Sequence, residues 1–344
     1  MKKILFGFSL SICCFMSGYA QTTSSCAQTL RLARSTYEQG RLHELPTLLM
    51  KCLDENTFTT QERVDALKLL TQTYIYLEEP EKADQHMLLL LQTDHYFAIN
   101  EAIDPAEFVA LYKTFRTTPI YRFGLKAGTV TTRPNVASRD IPNEGTSKYE
   151  NRFSFIAGFS IEIPFTEKIT LNPELYFQQK SFQNTNIIEV PDGDFEMVAN
   201  QALTYISLPL AVQYRLFDHK LNPYLLGGVS IDYLVNATVS AERNRTGFSA
   251  IEKKTFSITG DRANLNLSLV AGTGIKYRLG GGYGIFEVRY NHGLVNATKK
   301  SGTYNNEELI FNYQSVDGIF KVNSLSITLG YVHNIFKPKK LTLK

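Results

Sequence analysis

Tryptophan is absent from the 344 residues, cysteine occurs only four times, and neither sign of charge is in marked excess. Lys and Arg number 36 against 33 Asp and Glu, a formal charge of +3. That balance excludes the concentrated basic face of a nucleic-acid binder. After residue 20 no apolar run reaches the roughly 18 residues that a helical membrane span needs, so no later helical anchor is expected. Metal and catalytic patterns are missing too. There is no His-Glu-x-x-His and no Cys-x-x-Cys, and none of the six His shares a triad-like spacing with Ser or Asp. No cofactor is expected. What is present is apolar surface: hydrophobic residues are 43% and charged residues 20%, which excludes disorder of the chain as a whole.

The first twenty residues read as a secretory leader. Lys2 and Lys3 supply a positive start, Ile4 to Met16 an apolar stretch, and Gly18-Tyr19-Ala20 a small-residue cleavage site. Processing at Cys13 as a lipoprotein is the competing reading, but the bulky Ile12 before it is wrong for that step. The mature chain is expected to begin near Gln21.

Residues 21–118 read as a helical domain of about five helices. Leu30, Ala33 and Tyr37 follow a helical period that Gly40 stops. A second helix covers about 42–54, with Pro46 tolerable only in its first turn. Thr59 with Glu62 makes a capping box ahead of Val64, Leu67, Leu70 and Tyr74. Pro80 suits a first helical position, and Asp104-Pro105 opens a last short helix. Leu30, Ala33, Tyr37 and Gly40 resemble the first helix of a tetratricopeptide-like repeat, over about one repeat. Antiparallel packing of the first two helices would place Cys26 beside Cys52, and an oxidising periplasm permits a disulfide there. Two buried thiols are the alternative.

From Tyr121 the period changes to two. Phe153, Phe155, Phe159, Ile161 and Ile163 alternate with polar or small residues, as do Leu325, Ile327, Leu329 and Tyr331. Eight such segments run at about 121–132, 151–163, 169–182, 201–216, 221–236, 263–279, 284–295 and 322–336. Most are ten residues or longer, nearer the roughly 9–11 of a tilted membrane strand than the five or six of an ordinary one. Connections alternate between short (164–168, 217–220, 280–282) and long and polar (133–150, 183–200, 237–262, 296–321). An up-and-down barrel with unequal rims has that signature. The expectation is therefore an all-β transmembrane barrel of eight antiparallel strands over 119–336, followed by a basic tail at 337–344 lying on inner headgroups.

Alternation alone does not say which face is inside. The polar stripe carries Arg122, Lys126, Arg152, Glu162, Glu174, Arg215, Asp232, Lys276, Arg278, Glu287 and Arg289. Mixed charges among small residues can pair inside a narrow lumen, while the nearly charge-free stripe suits lipid, where an unpaired charge costs roughly 2–4 kcal/mol at mid-bilayer. Tyr and Phe, 19 and 22 in number, replace Trp as the interfacial girdle. Large inward residues such as Tyr176 and Tyr224 should plug so narrow a lumen.

Tyr205-Ile206-Ser207-Leu208-Pro209-Leu210, followed by Tyr214, resembles the Tyr-x-x-x-Pro-Leu strand of PorT-like outer-membrane barrels of Bacteroidetes. Phe123-Gly124-Leu125-Lys126-Ala127-Gly128 and Pro223-Tyr224-Leu225-Leu226-Gly227-Gly228 are similar to their first and fifth strands. The resemblance covers roughly 121–336 and implies an outer-membrane barrel. Some members of that family are linked to type IX secretion. The helical region lies outside the shared pattern, so that role is not carried over. The expectation is a non-enzymatic barrel in outer-membrane lipid, with the helical domain and both termini in the periplasm and a periplasmic or outer-membrane protein as partner. A surface adhesin or receptor using the long loops, and a small barrel enzyme, are the alternatives.

Overall fold

The computed structural model describes residues 25–138, 146–188, 193–217, 220–245, 247, 249–299, 306–315 and 318–341. The expected leader, residues 1–20, and His219 lie outside them. The chain forms two compact units. One ends at Thr117 and takes back the stretch from Pro338; the other is Thr118–Lys337.

The described residues of the first unit form five α-helices: α1 (Ser25–Glu38), α2 (Leu45–Asp54), α3 (Thr60–Tyr76), α4 (Pro80–Thr93) and α5 (Ala106–Lys113). Several boundaries have a local cause. Gly40 closes α1 at a φ of +75°, where a side chain would be strained. Pro46 and Pro80 occupy the first turns of α2 and α4, where a missing N–H costs nothing. Thr59 accepts from the Glu62 N–H, and the Glu62 carboxylate accepts the Thr59 N–H at 2.9 Å, so two orphan donors of α3 are satisfied. Leu30, Ala33, Leu49, Leu67, Leu70, Met87, Leu90 and Phe108 form one buried cluster. Cys26 of α1 and Cys52 of α2 are joined as a disulfide with their Cα atoms 5.8 Å apart.

Two polar groups are locked into this unit. Lys68 Nζ lies 2.5 Å from Asp104 Oδ1, and the Asn100 N–H donates to Asp104 Oδ2 at 2.8 Å. Burial alone would raise the Asp104 pKa, but these two partners outweigh it and hold the carboxyl below its ordinary range. His86 is buried with its ring 4.8 Å from Tyr74, and burial pushes its pKa down. The basic tail, expected on lipid headgroups, instead pairs within this unit. The Arg116 N–H donates to the Lys339 carbonyl at 2.9 Å, and the Leu341 N–H to the Thr114 carbonyl at 2.8 Å. Lys340 pairs with Asp84 of α4. The extended segment after α5 has backbone groups that need partners, and the tail supplies them.

The second unit is a closed antiparallel ring. Its members are β1 (Tyr121–Ser138), β2 (Thr146–Pro164), β3 (Ile169–Ile188), β4 (Phe195–Arg215), β5 (Leu221–Arg245), β7 (Leu265–Leu279), β8 (Gly282–Gly293) and β9 (Ile319–Ile335). The ring closes through β1 against β9, with Ala127 opposite Leu329 on one side and Ala157 on the other. The short β6 (Ile251–Ser257) hairpins onto β5 outside the ring, and a five-residue helix, α6 (Glu307–Phe311), lies between β8 and β9. No described helix is long and apolar enough to cross a membrane.

Closure leaves no unpaired edge, which is what lets a sheet enter lipid. The apolar stripe faces outward: Leu125, Leu208 and Leu329 are 56%, 54% and 65% exposed, whereas Lys126, Glu174 and Glu287 on the other parity are 2%, 5% and 0% exposed. Several strands outrun their expected ends. β4 and β5 reach 21 and 25 residues, so much of what reads as loop at 183–200 and 237–262 is strand. A bulge on β5 explains part of the discrepancy. Thr204 opposes Asn236 but Tyr205 opposes Leu234, leaving Val235 as the extra residue. Beyond it the parity flips, and Ala237, Val239 and Ala241 turn inward.

Candidate functional site

The interior of the ring is filled in tiers. Nearest the short turns, Glu162 lies between two cations, with Arg122 Nη1 at 3.1 Å and Lys276 Nζ at 2.7 Å. Arg122 also donates to Asn334 at 2.9 Å, and Lys276 to Gln213 Oε1 at 2.7 Å. Deeper in, Lys126 Nζ lies 2.7 Å from Glu174 and 3.3 Å from Glu287. Arg289 completes a square of two cations and two carboxylates, donating to Glu174 through Nη2 at 2.7 Å and pairing with Glu287. The Tyr224 hydroxyl donates to Glu287 at 2.6 Å and the Tyr176 hydroxyl to Glu174 at 3.1 Å. Above them Lys180 meets Asp232 at 2.7 Å, and Ser230 and Asn266 donate to the same carboxylate.

The uppermost tier is apolar. Phe182, Met197, Leu203, Tyr205, Phe256, Tyr313, Phe320 and Val322 pack together inside the long-loop half. Arg262 enters this layer: it lies 5.3 Å from the Phe320 ring centroid and donates to Gln201 Oε1 at 2.7 Å.

Of the eleven charged residues read from the sequence, the structure brings Arg122, Lys126, Glu162, Glu174, Asp232, Lys276, Glu287 and Arg289 into this paired interior. Arg152 does not join them. It is exposed, and its guanidinium bonds Gln183. Arg215 and Arg278 stand at the short-turn rim, half-buried and exposed, because they fall in the last turns of β4 and β7. Sequence reasoning missed two lumen cations. Lys180 was legible in principle, since Glu174, Tyr176 and Gln178 precede it at steps of two. Arg262 follows a single-turn helix after β6, where no period points to it.

Chemically, each interior carboxylate is held by at least one cation, and a carboxylate so paired is a poor proton shuttle. Among the described residues no group of three His, Cys, Asp or Glu could hold a metal ion. The arrangement is a neutralised plug in a ring too narrow for an open channel.

A closed eight-stranded ring, apolar outside and charge-paired within, defines a membrane-spanning β-barrel. The chain belongs to the outer membrane protein beta-barrel domain family, which it matches over residues 121–299, a little more than half its length. It is thus an outer-membrane protein in contact with lipid. No curated protein matches it. Among solved structures, Neisserial surface protein A is similar at 13% identity over 62% of this chain and 97% of its own, with a TM-score of 0.29. The attachment invasion locus protein Ail of Yersinia pestis is similar at 13% identity over 62% and 98%, with a TM-score of 0.27. OprG of Pseudomonas aeruginosa is similar at 11% over 63% and 98%, with a TM-score of 0.31.

Proposed function

We propose that this chain is a closed, non-enzymatic outer-membrane anchor whose helical unit works in the periplasm by binding another component of the envelope. The filled lumen carries the reading. A barrel whose interior charges are paired and whose upper tier is apolar has no room for transport, so activity is left to the surfaces outside the membrane. The direction follows from topology. Both connections to the helical unit, at Thr118 and Lys337, leave from the short-turn rim, and short turns face the periplasm in bacterial outer-membrane barrels. The reading of residues 1–20 as a cleaved leader and the disulfide between Cys26 and Cys52 both suit that compartment. The resemblance of three strand motifs to PorT-like barrels supports a role in the envelope, and the tetratricopeptide-like first helix suits a protein-binding module. Ile103, Leu32 and Tyr76 are exposed apolar side chains on that module, at 77%, 53% and 47%.

The test is cross-linking in intact cells followed by purification in detergent. The full chain is compared with a variant lacking 25–117 and 338–344. Loss of specific cross-linked partners is expected, and an unchanged partner set defeats the proposal. A second reading, surface recognition through the long-loop rim, is favoured by the ordered cap there. Phe256 of β6 packs edge-on against Tyr313 with ring centroids 5.5 Å apart, and Lys254 pairs with Glu308 at 2.7 Å. Deleting 250–258 would abolish surface binding under that reading and leave it untouched under the first.

A further inference from the structure

On the outer wall of β3, β4 and β5 the lipid-facing belt ends along one level line. Phe177, Ile206 and Tyr233 stand opposite one another in register and are exposed. One row nearer the long-loop rim the outward residues become Gln179, Thr204 and Asn236, again in register. Two more rows follow. Ser181, Ala202, Thr238 and Ser257 lie opposite one another across β3, β4, β5 and β6, and so do Gln183, Asn200, Ser240 and Thr255. The three rows hold no charge and no aromatic ring. The side chains of Gln179, Ser181, Asn200, Thr204 and Thr238 have no hydrogen-bond partner among the described residues. On each strand the undescribed loop residues begin six or more positions beyond these rows. A shallow cavity of about 310 Å³ lies on the face, lined by Ser181, Asn200, Thr238 and Ser240 together with Arg152 of β2 and Lys253 of β6 at its two flanks. The Arg152 guanidinium bonds the neutral Gln183, and Lys148 and Glu150 of β2 neutralise each other at 2.7 Å. Glu242, half-buried on β5, comes one row further out.

We propose that this face holds the sugar headgroup of a glycolipid of the outer leaflet. Sugar hydroxyls both donate and accept, and so do the side chains of Ser, Thr, Asn and Gln. A protein partner would need aromatic or large apolar anchors, which the rows lack. A bare phosphate headgroup would need cations, and none stands within the rows. Continuity with the belt selects a lipid. Acyl chains lying on Phe177, Ile206 and Tyr233 bring their own headgroup onto the rows directly above. Arg152 and Lys253 suit the acidic groups that such headgroups carry. The inference rests on the reading that the long-loop rim faces outward, and it adds what the wall above the hydrocarbon contacts.

The experiment titrates the full chain, refolded in a zwitterionic detergent free of sugar groups, into fluorescent rough lipopolysaccharide and follows anisotropy. Saturable binding at least tenfold tighter than to fluorescent phosphatidylglycerol is expected. Ser181→Ala/Asn200→Ala/Thr238→Ala changes no charge and breaks no hydrogen bond among the described residues, yet should weaken binding at least tenfold. Arg152→Gln/Lys253→Gln should weaken it two- to threefold, and Asn135→Ala, on β1 across the ring, should leave it unchanged. A compact band on unheated gels shows that each variant has folded. Absence of saturable binding in the parent chain overturns the inference, as does binding indifferent to the triple variant. Phosphatidylglycerol binding as tightly, or a larger loss in the charge variant than in the triple variant, overturns the assignment to sugar. A parent chain that is dimeric in the same detergent, and monomeric in the triple variant, assigns the face to a second copy instead. Orientation is read separately. Ser249→Cys, exposed beyond β5, should react with an impermeant maleimide on intact cells. Failure to label overturns the outward orientation and the outer-leaflet source with it, whatever the titration gives. Labelling without lipopolysaccharide binding overturns only the inference.

Discussion

Replacing Lys126 by Met tests whether the barrel interior is held by charge balance. Lys126 is fully buried between Glu174 at 2.7 Å and Glu287 at 3.3 Å, with Arg289 the other cation of the square. At an effective dielectric near 20, a pair about 3 Å apart attracts by roughly 5–6 kcal/mol before desolvation is subtracted. Removing one partner strands a carboxylate with no water to receive it, and such losses amount to about 3–5 kcal/mol. Lys126→Met should therefore lower unfolding stability by about that amount. The second substitution, Lys126→Met/Glu287→Gln, removes one charge of each sign. It leaves the Arg289–Glu174 pair intact and keeps an acceptor for the Tyr224 hydroxyl. Replacing a buried ion pair by neutral groups of similar size is often close to neutral, so the double variant should return to within about 1–2 kcal/mol of the parent. The assay is urea unfolding in lipid vesicles, read as loss of the compact band on unheated gels. A double variant no more stable than Lys126→Met would show that packing, not charge balance, sets the cost.

Other predictions concern each unit separately. Cys26→Ser/Cys52→Ser opens a loop with a sequence separation of 26, worth about 3.5 kcal/mol in the chain-entropy account. The helical transition, followed by circular dichroism, should drop by roughly 15–25 °C, and an unchanged midpoint would contradict the structure there. Acid should destabilise the same unit in two stages. His86 has its folded pKa below the ordinary 6.5, so the unfolded chain takes up the proton first and stability falls as pH drops below about 6.5. Asp104 has its folded pKa below 3.8, so its contribution is complete above that value and is lost as pH falls through the lower, folded pKa. His86→Leu should flatten the first stage only, and a slope surviving that change would remove His86 as its source. In planar bilayers the full chain should show no steady large conductance, and a stable open pore would refute the filled interior.

The membrane-facing side was legible because the period of two is uninterrupted where lipid enforces it. Leu325, Ile327, Leu329 and Tyr331 leave no doubt about parity once the opposite stripe is seen to carry the charges. Helix starts were legible for equally local reasons, as Thr59, Glu62 and Pro80 show. The long-loop half was not. There the β5 bulge at Val235 reverses parity, and small residues such as Ala237 and Ala241 mark a strand no more strongly than a loop. The pairing partners were hidden for another reason. Lys180 finds Asp232 from 52 positions away, and only the ring's register brings them together. Arg215 and Arg278 share the stripe's parity but fall at strand ends, and position along the barrel axis is not written in an alternating pattern.

The backbone bridge made by residues 339–341 bears on the order in which the molecule is put together. The helical unit emerges from the ribosome first, yet its last backbone partners are made only after β9. Until the barrel's final strand has been delivered, Thr114 and Arg116 lack their mates and Asp84 its lysine. A fragment cut after residue 118 would be an incomplete fold, and a fusion appended to the C-terminus would burden the helices rather than the barrel.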